Sequence, residues 1–261
     1  MIRVGIGGWT FEPWRGAFYP RGLPHARELE YASRNLTTIE INGTFYRTQS
    51  RDSFRRWAQE TPDDFVFSVK GHRNTVNRRK LAEAGESIEW FLGSGIAELG
   101  PKLGPLLWQF APTKKFDEED FTAFLALLPK TLDGRPLMHA VEVRHDSFRA
   151  PAFIALARRF EVAVVFADSD KYPAIADVTG PFVYARLQRT VENEPAGYAP
   201  ADLDAWAKRL RAWAGGKEPG DLPRVGEAAP GAKSRPVFAY MISGAKVRAP
   251  AAAMALIERL K

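Results

Sequence analysis

The 261-residue sequence has no cysteine and only four histidines. The first absence excludes disulfides, thiolate metal sites and a cysteine nucleophile. The second argues against a multi-zinc site, which draws on many imidazoles. No run of about 18 apolar residues occurs, so no membrane span is expected. The opening Met1–Trp9 has no basic segment ahead of a long apolar one, so no secretory signal is expected either, and a cytoplasmic location follows. No Gly-x-Gly-x-x-Gly runs into a helix and no Walker-type lysine is found, which leaves no cradle for a nucleotide. Ser147 and Thr44 lack the context of a nucleophile elbow. Charge of one sign is only mildly in excess: 37 Lys and Arg against 31 Asp and Glu give +6. Such a balance favours anionic partners, nucleic acid among them, without deciding fold or chemistry. The densest basic run is Arg73–Lys80.

What is present is organised around Met138–Ser147. In a strand, Val141 and Val143 share one face while Ala140, Glu142 and Arg144 share the other. Two opposite charges on one face of a buried strand cost several kcal/mol each unless they pair, meet water or hold a ligand. Strand-like runs recur at Ile2–Gly7, Thr37–Asn42, Phe65–Lys70, Pro105–Phe110, Met138–Arg144, Val162–Asp168, Phe182–Leu187 and Val237–Met241. Most are separated by stretches with helical period, such as Ile88, Phe91, Leu92 and Ile96. Further helices are expected near Pro24–Asn35, Asp52–Glu60, Asp117–Leu128, Pro151–Phe160, Leu203–Trp213 and Pro250–Leu260. Alternation of this kind over about 250 residues reads as one TIM-like (β/α)8 barrel domain spanning 1–261, with a doubly wound sheet as runner-up. Ser169–Pro181, between strands six and seven, is too short and too rich in Pro and Asp for a full helix. Gly215–Pro236 reads as a mobile surface loop on the face opposite the usual active site.

With the branched and aromatic face of each strand set against the helices, the inward positions are Gly5 and Gly7, Glu40 and Asn42, Ser68 and Lys70, Leu107 and Gln109, Glu142 and Arg144, Phe166 and Asp168, Tyr184 and Arg186, and Phe238 and Tyr240. The polar members cluster near the C-terminal strand ends, where this architecture carries active sites. Glu40, Glu142 and Asp168 face Lys70, Arg144 and Arg186. Six ions make either a self-neutralising plug or the floor of a pocket, and the pocket reading is preferred because a dry plug is costly beside an apolar core. His145 is singled out as proton carrier, since an imidazole exchanges protons near neutral pH; its place in His-Asp-Ser also fits a helix cap. His72 is a weaker candidate, and His25 and His139 read as structural. Glu40, Glu142, Asp168 and His145 could hold Mg²⁺ or Mn²⁺, but the inward cations disfavour a metal, and no cofactor is expected. Trp9, Phe11, Trp14, Phe18 and Tyr19, with Phe45 and Tyr46, make either a roof over the barrel or a stacking wall for a ligand.

At these residues the sequence resembles a known family. Gly5-Ile-Gly-Gly-Trp-Thr10 followed by Trp14, Gly16, Phe18, Tyr19 and Pro20, then Glu40-Ile-Asn-Gly-Thr-Phe-Tyr46, Phe65-Val-Phe-Ser-Val-Lys70, Leu107-Trp-Gln-Phe-Ala-Pro112 and Val141-Glu-Val-Arg-His145 are similar to the YecE-like family, the domain of unknown function numbered seventy-two. The resemblance implies a TIM-like barrel with a loose kinship to sugar-isomerase-like barrels, and no established reaction. After Arg186 and after Tyr240 the chain departs from the family's usual pattern.

The functional expectation is an acid/base enzyme, isomerase or hydrolase in type, acting on a small polar anionic metabolite such as a sugar phosphate. Glu142 or Glu40 would serve as base and His145 as acid, with Asp168 also in the catalytic set. Lys70, Arg144 and Arg186 would hold the anion, and Asn42, Gln109, Tyr46, Trp9 and Tyr240 would complete the binding wall. A nucleic-acid-binding barrel and a non-catalytic scaffold are the alternatives.

Overall fold

Eight short, β-branched and aromatic segments pair in parallel: β1 (Ile2–Gly7), β2 (Thr38–Ile41), β3 (Val66–Lys70), β4 (Leu103–Gln109), β5 (His139–Glu142), β6 in two pieces (Ala163–Val164 and Phe166–Asp168), β7 (Val183–Leu187) and β8 (Val237–Met241). The computed structural model describes residues 1–232 and 234–261. The first piece of β6 pairs with β5 and the second with β7, at the two ends of the sheet order. Only Val165 separates them, and its N–H donates to the Val141 carbonyl at 2.9 Å. The two ends of the sheet are therefore one stretch of chain, and the sheet comes nearly closed as a TIM-like barrel. Gly5 marks the tightest approach between neighbours: a Cβ there would lie 1.8 Å from the Thr38 carbonyl oxygen.

The outer layer comprises α1 (Glu28–Asn35), α2 (Arg51–Glu60), α3 (Gly85–Leu92), α4 (Glu118–Leu127), α5 (Pro151–Arg159), α6 (Pro200–Ala214) and α7 (Ala249–Leu260). Local chemistry sets several of their starts. Ser50 accepts from the Ser53 N–H ahead of α2, and Asp117 from the Asp120 N–H ahead of α4, so each side chain satisfies an amide the helix leaves unpaired. Pro151 and Pro200 open α5 and α6, where a missing N–H costs nothing.

Period-two alternation holds on the strands. Val4, Ile6, Ile39, Ile41, Phe67, Val69, Leu106, Trp108, Val141, Leu187 and Met241 pack outward against helices, while Leu107, Ala140, Phe182, Tyr184, Phe238 and Tyr240 form a separate inner cluster. Strand six corrects the expectation. Ala163 and Val165 face inward, and Phe166 points out to Trp206 and Trp213 of α6, with ring centroids 5.8 Å from each. Asp168, two residues on, shares the outward side. Val162–Ala167 is apolar on both faces, so the contrast that sets a strand's direction is missing there.

Among the described residues no helix lies between β6 and β7. That gap is covered from elsewhere in the chain. Asp177 accepts from the N–H groups of Val225 (2.7 Å) and Gly226 (2.8 Å), and the Glu218 carboxylate accepts from Val178 (3.0 Å) and Ala229 (3.1 Å). Ile175, Ala176 and Val178 are buried, and Leu222, Val225 and Ala229 pack on the same core. The stretch 215–236, expected as a loose surface loop, thus supplies the missing outer wall through its described residues. Its turn at Gly216 (φ +81°) leaves no room for a side chain, since a Cβ would sit 1.7 Å from the Ala232 carbonyl oxygen.

Candidate functional site

The barrel interior is layered along its axis. Above the apolar floor lie Tyr184 and Tyr240, fully buried, with ring centroids 5.0 Å apart. Thr38 donates its hydroxyl proton to the Val66 carbonyl (2.6 Å) and so accepts from Tyr240 (2.9 Å). Tyr184 donates to Glu40 (2.5 Å), which leaves Ser68 as donor to Tyr184 (2.8 Å). Burial pushes both phenols above the usual tyrosine range, so these hydroxyls act as fixed donors.

The ionic layer sits on this hydroxyl layer. Arg186, 3 % exposed, grips Glu40 with two nitrogens, Nη2 to Oε1 at 3.0 Å and Nε to Oε2 at 3.2 Å, and reaches Glu142 Oε2 through Nη1 at 2.5 Å. Glu142 also accepts from Gln109 Nε2 (2.9 Å) and, on Oε1, from Arg144 Nε (2.8 Å). Lys70 donates to Gln109 Oε1 (2.7 Å) and lies 4.1 Å from the centroid of the Phe45 ring. Glu40 and Glu142 are completely buried, and each carboxylate oxygen of the pair has a charged donor.

Electrostatics divide the roles. Burial alone would push Glu142 up, but Arg186 and Arg144 outweigh it and hold the carboxyl at about 2. Burial would likewise lower Arg186, yet Glu142 and Glu40 raise it above an ordinary arginine. Lys70 has no carboxylate of its own, because the two present are held by guanidinium groups. Burial first, and Arg186 second, lower it from 10.5 to about 8.

The sequence-derived site residues separate into groups. Glu40, Lys70, Gln109, Glu142, Arg144 and Arg186 form one continuous hydrogen-bonded cluster, with Tyr240 in the layer beneath. Asp168 is not in it: it pairs with Arg189 at 3.1 Å, and burial raises its carboxyl despite that partner. Tyr46 is 67 % exposed and lies outside the cluster. His145 serves as a cap: its Nδ1 accepts from the Ser147 N–H (3.1 Å) and hydroxyl (2.9 Å), while Ser147 Oγ accepts from Phe116 N–H. Two donors on Nδ1 put the neutral ring's proton on Nε2. His72 caps Arg73–Val76 in the same way through Nδ1. His139 accepts from Trp108 Nε1 and donates to the Pro129 carbonyl, and burial lowers it. Among the described residues no group of three or more His, Asp or Glu is placed to hold a metal ion.

Two clefts open at the C-terminal mouth, on either side of the loop after β8. One, of about 580 Å³, is lined by Arg144, Lys171, Tyr172, Gln188 and Arg189, with Asp170 as the acid among them. Arg144 joins it to the interior, since its Nη1 donates to Tyr172 Oη (3.3 Å) and its guanidinium lies 4.2 Å from the centroid of that ring. Gln188 adds a buried Nε2 with no hydrogen-bond partner among the described residues. The other cleft, of about 320 Å³, is walled by Trp9, Asn42, Gln49, Trp57 and Lys246, with Gly7 and Gly8 at its base. Trp9 meets Trp57 edge-on at 4.9 Å. Lys171, Tyr172, Gln188 and Arg189 were missed by pattern reading because they lie on loops beyond the strands. Their one sequence signal is position, directly after the C-terminal ends of β6 and β7.

Comparison with known proteins places this geometry in context. Residues 3–261 match the family model described as "Protein of unknown function DUF72". The chain is 26% identical over 158 residues to UPF0759 protein YunF of Bacillus subtilis, covering 59% of this chain and 54% of that protein. It is 28% identical over 153 residues to UPF0759 protein YecE of Escherichia coli K12, covering 58% and 51%. The chain thus spans about half the length of these curated relatives. Crystal structures of DUF72 family proteins from Thermotoga maritima (22% identity, TM-score 0.75, 100% of this chain and 99% of that one) and Enterococcus faecalis (18%, 0.70, 100% and 95%) share the fold. Among the described residues no helix is long and apolar enough to cross a membrane.

Proposed function

Because the chain belongs to the DUF72 family of proteins of unknown function, its activity has to be argued from the barrel's own chemistry, and we propose an acid/base enzyme, of isomerase or hydrolase type, acting on a small anionic metabolite such as a sugar phosphate. One observation carries the reading: the cation-lined cleft is joined through Arg144 to a buried cluster holding three cations, Lys70, Arg144 and Arg186, over two carboxylates, Glu40 and Glu142. Those two carboxylates are spent on the arginines, so the excess charge favours an anion at the mouth.

Proton transfer needs a group that titrates near the working pH. Glu142, held at about 2, is a weak base, and it serves better to fix Arg144 and Arg186. Lys70, at about 8, is the better match: its protonated form supplies the excess charge that attracts the anion, and the smaller neutral fraction present near neutral pH acts as base while Arg144 and Lys171 keep the anion. His145 keeps the acid role through Nε2, since Nδ1 is bound to Ser147. Asn42 and Trp9, in the second cleft, would face the uncharged part of the substrate. These transfers need no cofactor, and the carboxylates are engaged by guanidinium groups, which leaves a divalent metal out of the proposal.

The test is a thermal-shift screen with sugar phosphates and inorganic phosphate. A ligand at a hundred times its dissociation constant adds about 2.7 kcal/mol, a rise of roughly 5–10 °C for a chain this long. The shift should disappear in Arg144→Met and shrink in Arg189→Ser. If no phosphate compound moves wild type more than the same ionic strength of potassium chloride, the reading fails.

A further inference from the structure

The loops after β2 and β3 also carry a second surface, whose aromatic residues line neither cleft. Two large aromatic rings are left in water here: Tyr46 is 67 % exposed and Trp90 50 %. The buried His72 stands between them. Its Nε2 donates to the Tyr46 carbonyl at 3.3 Å, and its ring meets Trp90 edge-on with centroids 5.0 Å apart. Arg47 follows Tyr46 directly, and Arg73 follows His72; both are exposed, as are Arg79 and Lys80, with Arg78 half-buried. The ion pairs of Arg51 with Glu98 and Lys114 with Asp120 involve none of these five cations, and among the described residues no carboxylate pairs with them.

We infer that this strip binds single-stranded nucleic acid, with bases stacked on Tyr46 and Trp90 and phosphates against the adjoining arginines. Unpaired guanidinium and ammonium groups carry positive charge and only donate, so an anion is the partner they favour, and their spread along a loop suits several anionic charges. Exposed ring faces call for flat rings. A single strand supplies both in alternation, whereas a duplex hides its ring faces and a sulfated polysaccharide has none.

The experiment is fluorescence anisotropy of labelled oligothymidylate and oligouridylate, each about 12 nucleotides long, against the full chain. Saturable binding of either strand is expected, weakening with salt at a log–log slope of about −0.7 per phosphate contacted. Tyr46→Ala and Trp90→Ala should each weaken it about tenfold with an unchanged melting temperature, and Tyr46→Trp should restore it. Arg73→Glu with Arg79→Glu should flatten the salt slope. No saturable binding at low salt, equal binding of a blunt duplex, or binding indifferent to both alanine substitutions would overturn the inference.

Discussion

Arg186 is the residue on which the interior charge depends, because it alone touches both buried carboxylates. Removing one partner of a buried ion pair is far more costly than its surface equivalent, since the other charge stays out of water. Glu142→Gln leaves Arg144 without its carboxylate and Arg186 with Glu40 alone, so urea denaturation should report a loss of roughly 3–5 kcal/mol. A variant as stable as wild type would show that the pair is hydrated in solution. Lys70 gives a signed pH test. The unfolded chain keeps its proton up to about 10.4, while the folded chain releases it near 8. Between those values the unfolded state carries the extra proton, so the folded state gains stability as pH rises. Measured against Lys70→Met, wild type should gain on the order of 3 kcal/mol from pH 7 to pH 10, and a constant difference between the two proteins would contradict the lowered lysine. At this scale the sequence spoke clearly for Glu40, Glu142, Arg144 and Arg186, whose charges violate the apolar rule of a barrel core. It left His145 open between helix cap and proton carrier and gave no cap reading for His72, because a capping nitrogen and a catalytic one have the same residue name.

Elements were legible where one face differs from the other. Ile39 and Ile41 against Glu40, or Val141 and Val143 against Glu142 and Arg144, fix which way a strand turns. In β6 that contrast is missing, and packing of Phe166 between Trp206 and Trp213 decides the direction instead. The covering stretch after α6 was illegible for a related reason: it is held by polar groups binding backbone amides, which leave no periodic trace. Asp177, 3 % exposed, is the strongest of these anchors. Asp177→Ala removes two charge-assisted bonds and leaves the Val225 and Gly226 amides unpaired, at a cost of roughly 2–3 kcal/mol. Limited trypsin digestion should then cut after Arg224 several times faster than in wild type, and unchanged cleavage would mean the segment is held by its apolar contacts alone.

For the whole molecule, closure is the property that joins these observations. A sheet curled nearly to closure brings the ends of β2, β3, β5 and β7 to one mouth, so charges separated by more than a hundred residues, such as Glu40 and Arg186, become neighbours. The mouth clefts themselves escape pattern reading, because their walls come from loops that meet only after closure. The wall between β6 and β7 has a further consequence, in time and not in space. Val178 and its acceptor Glu218 are 40 residues apart, and a ribosome adds about 5–20 residues per second. For roughly 2–8 s of synthesis the β6–β7 seam stands without its cover, and over that interval it is open to chaperones and to misassembly.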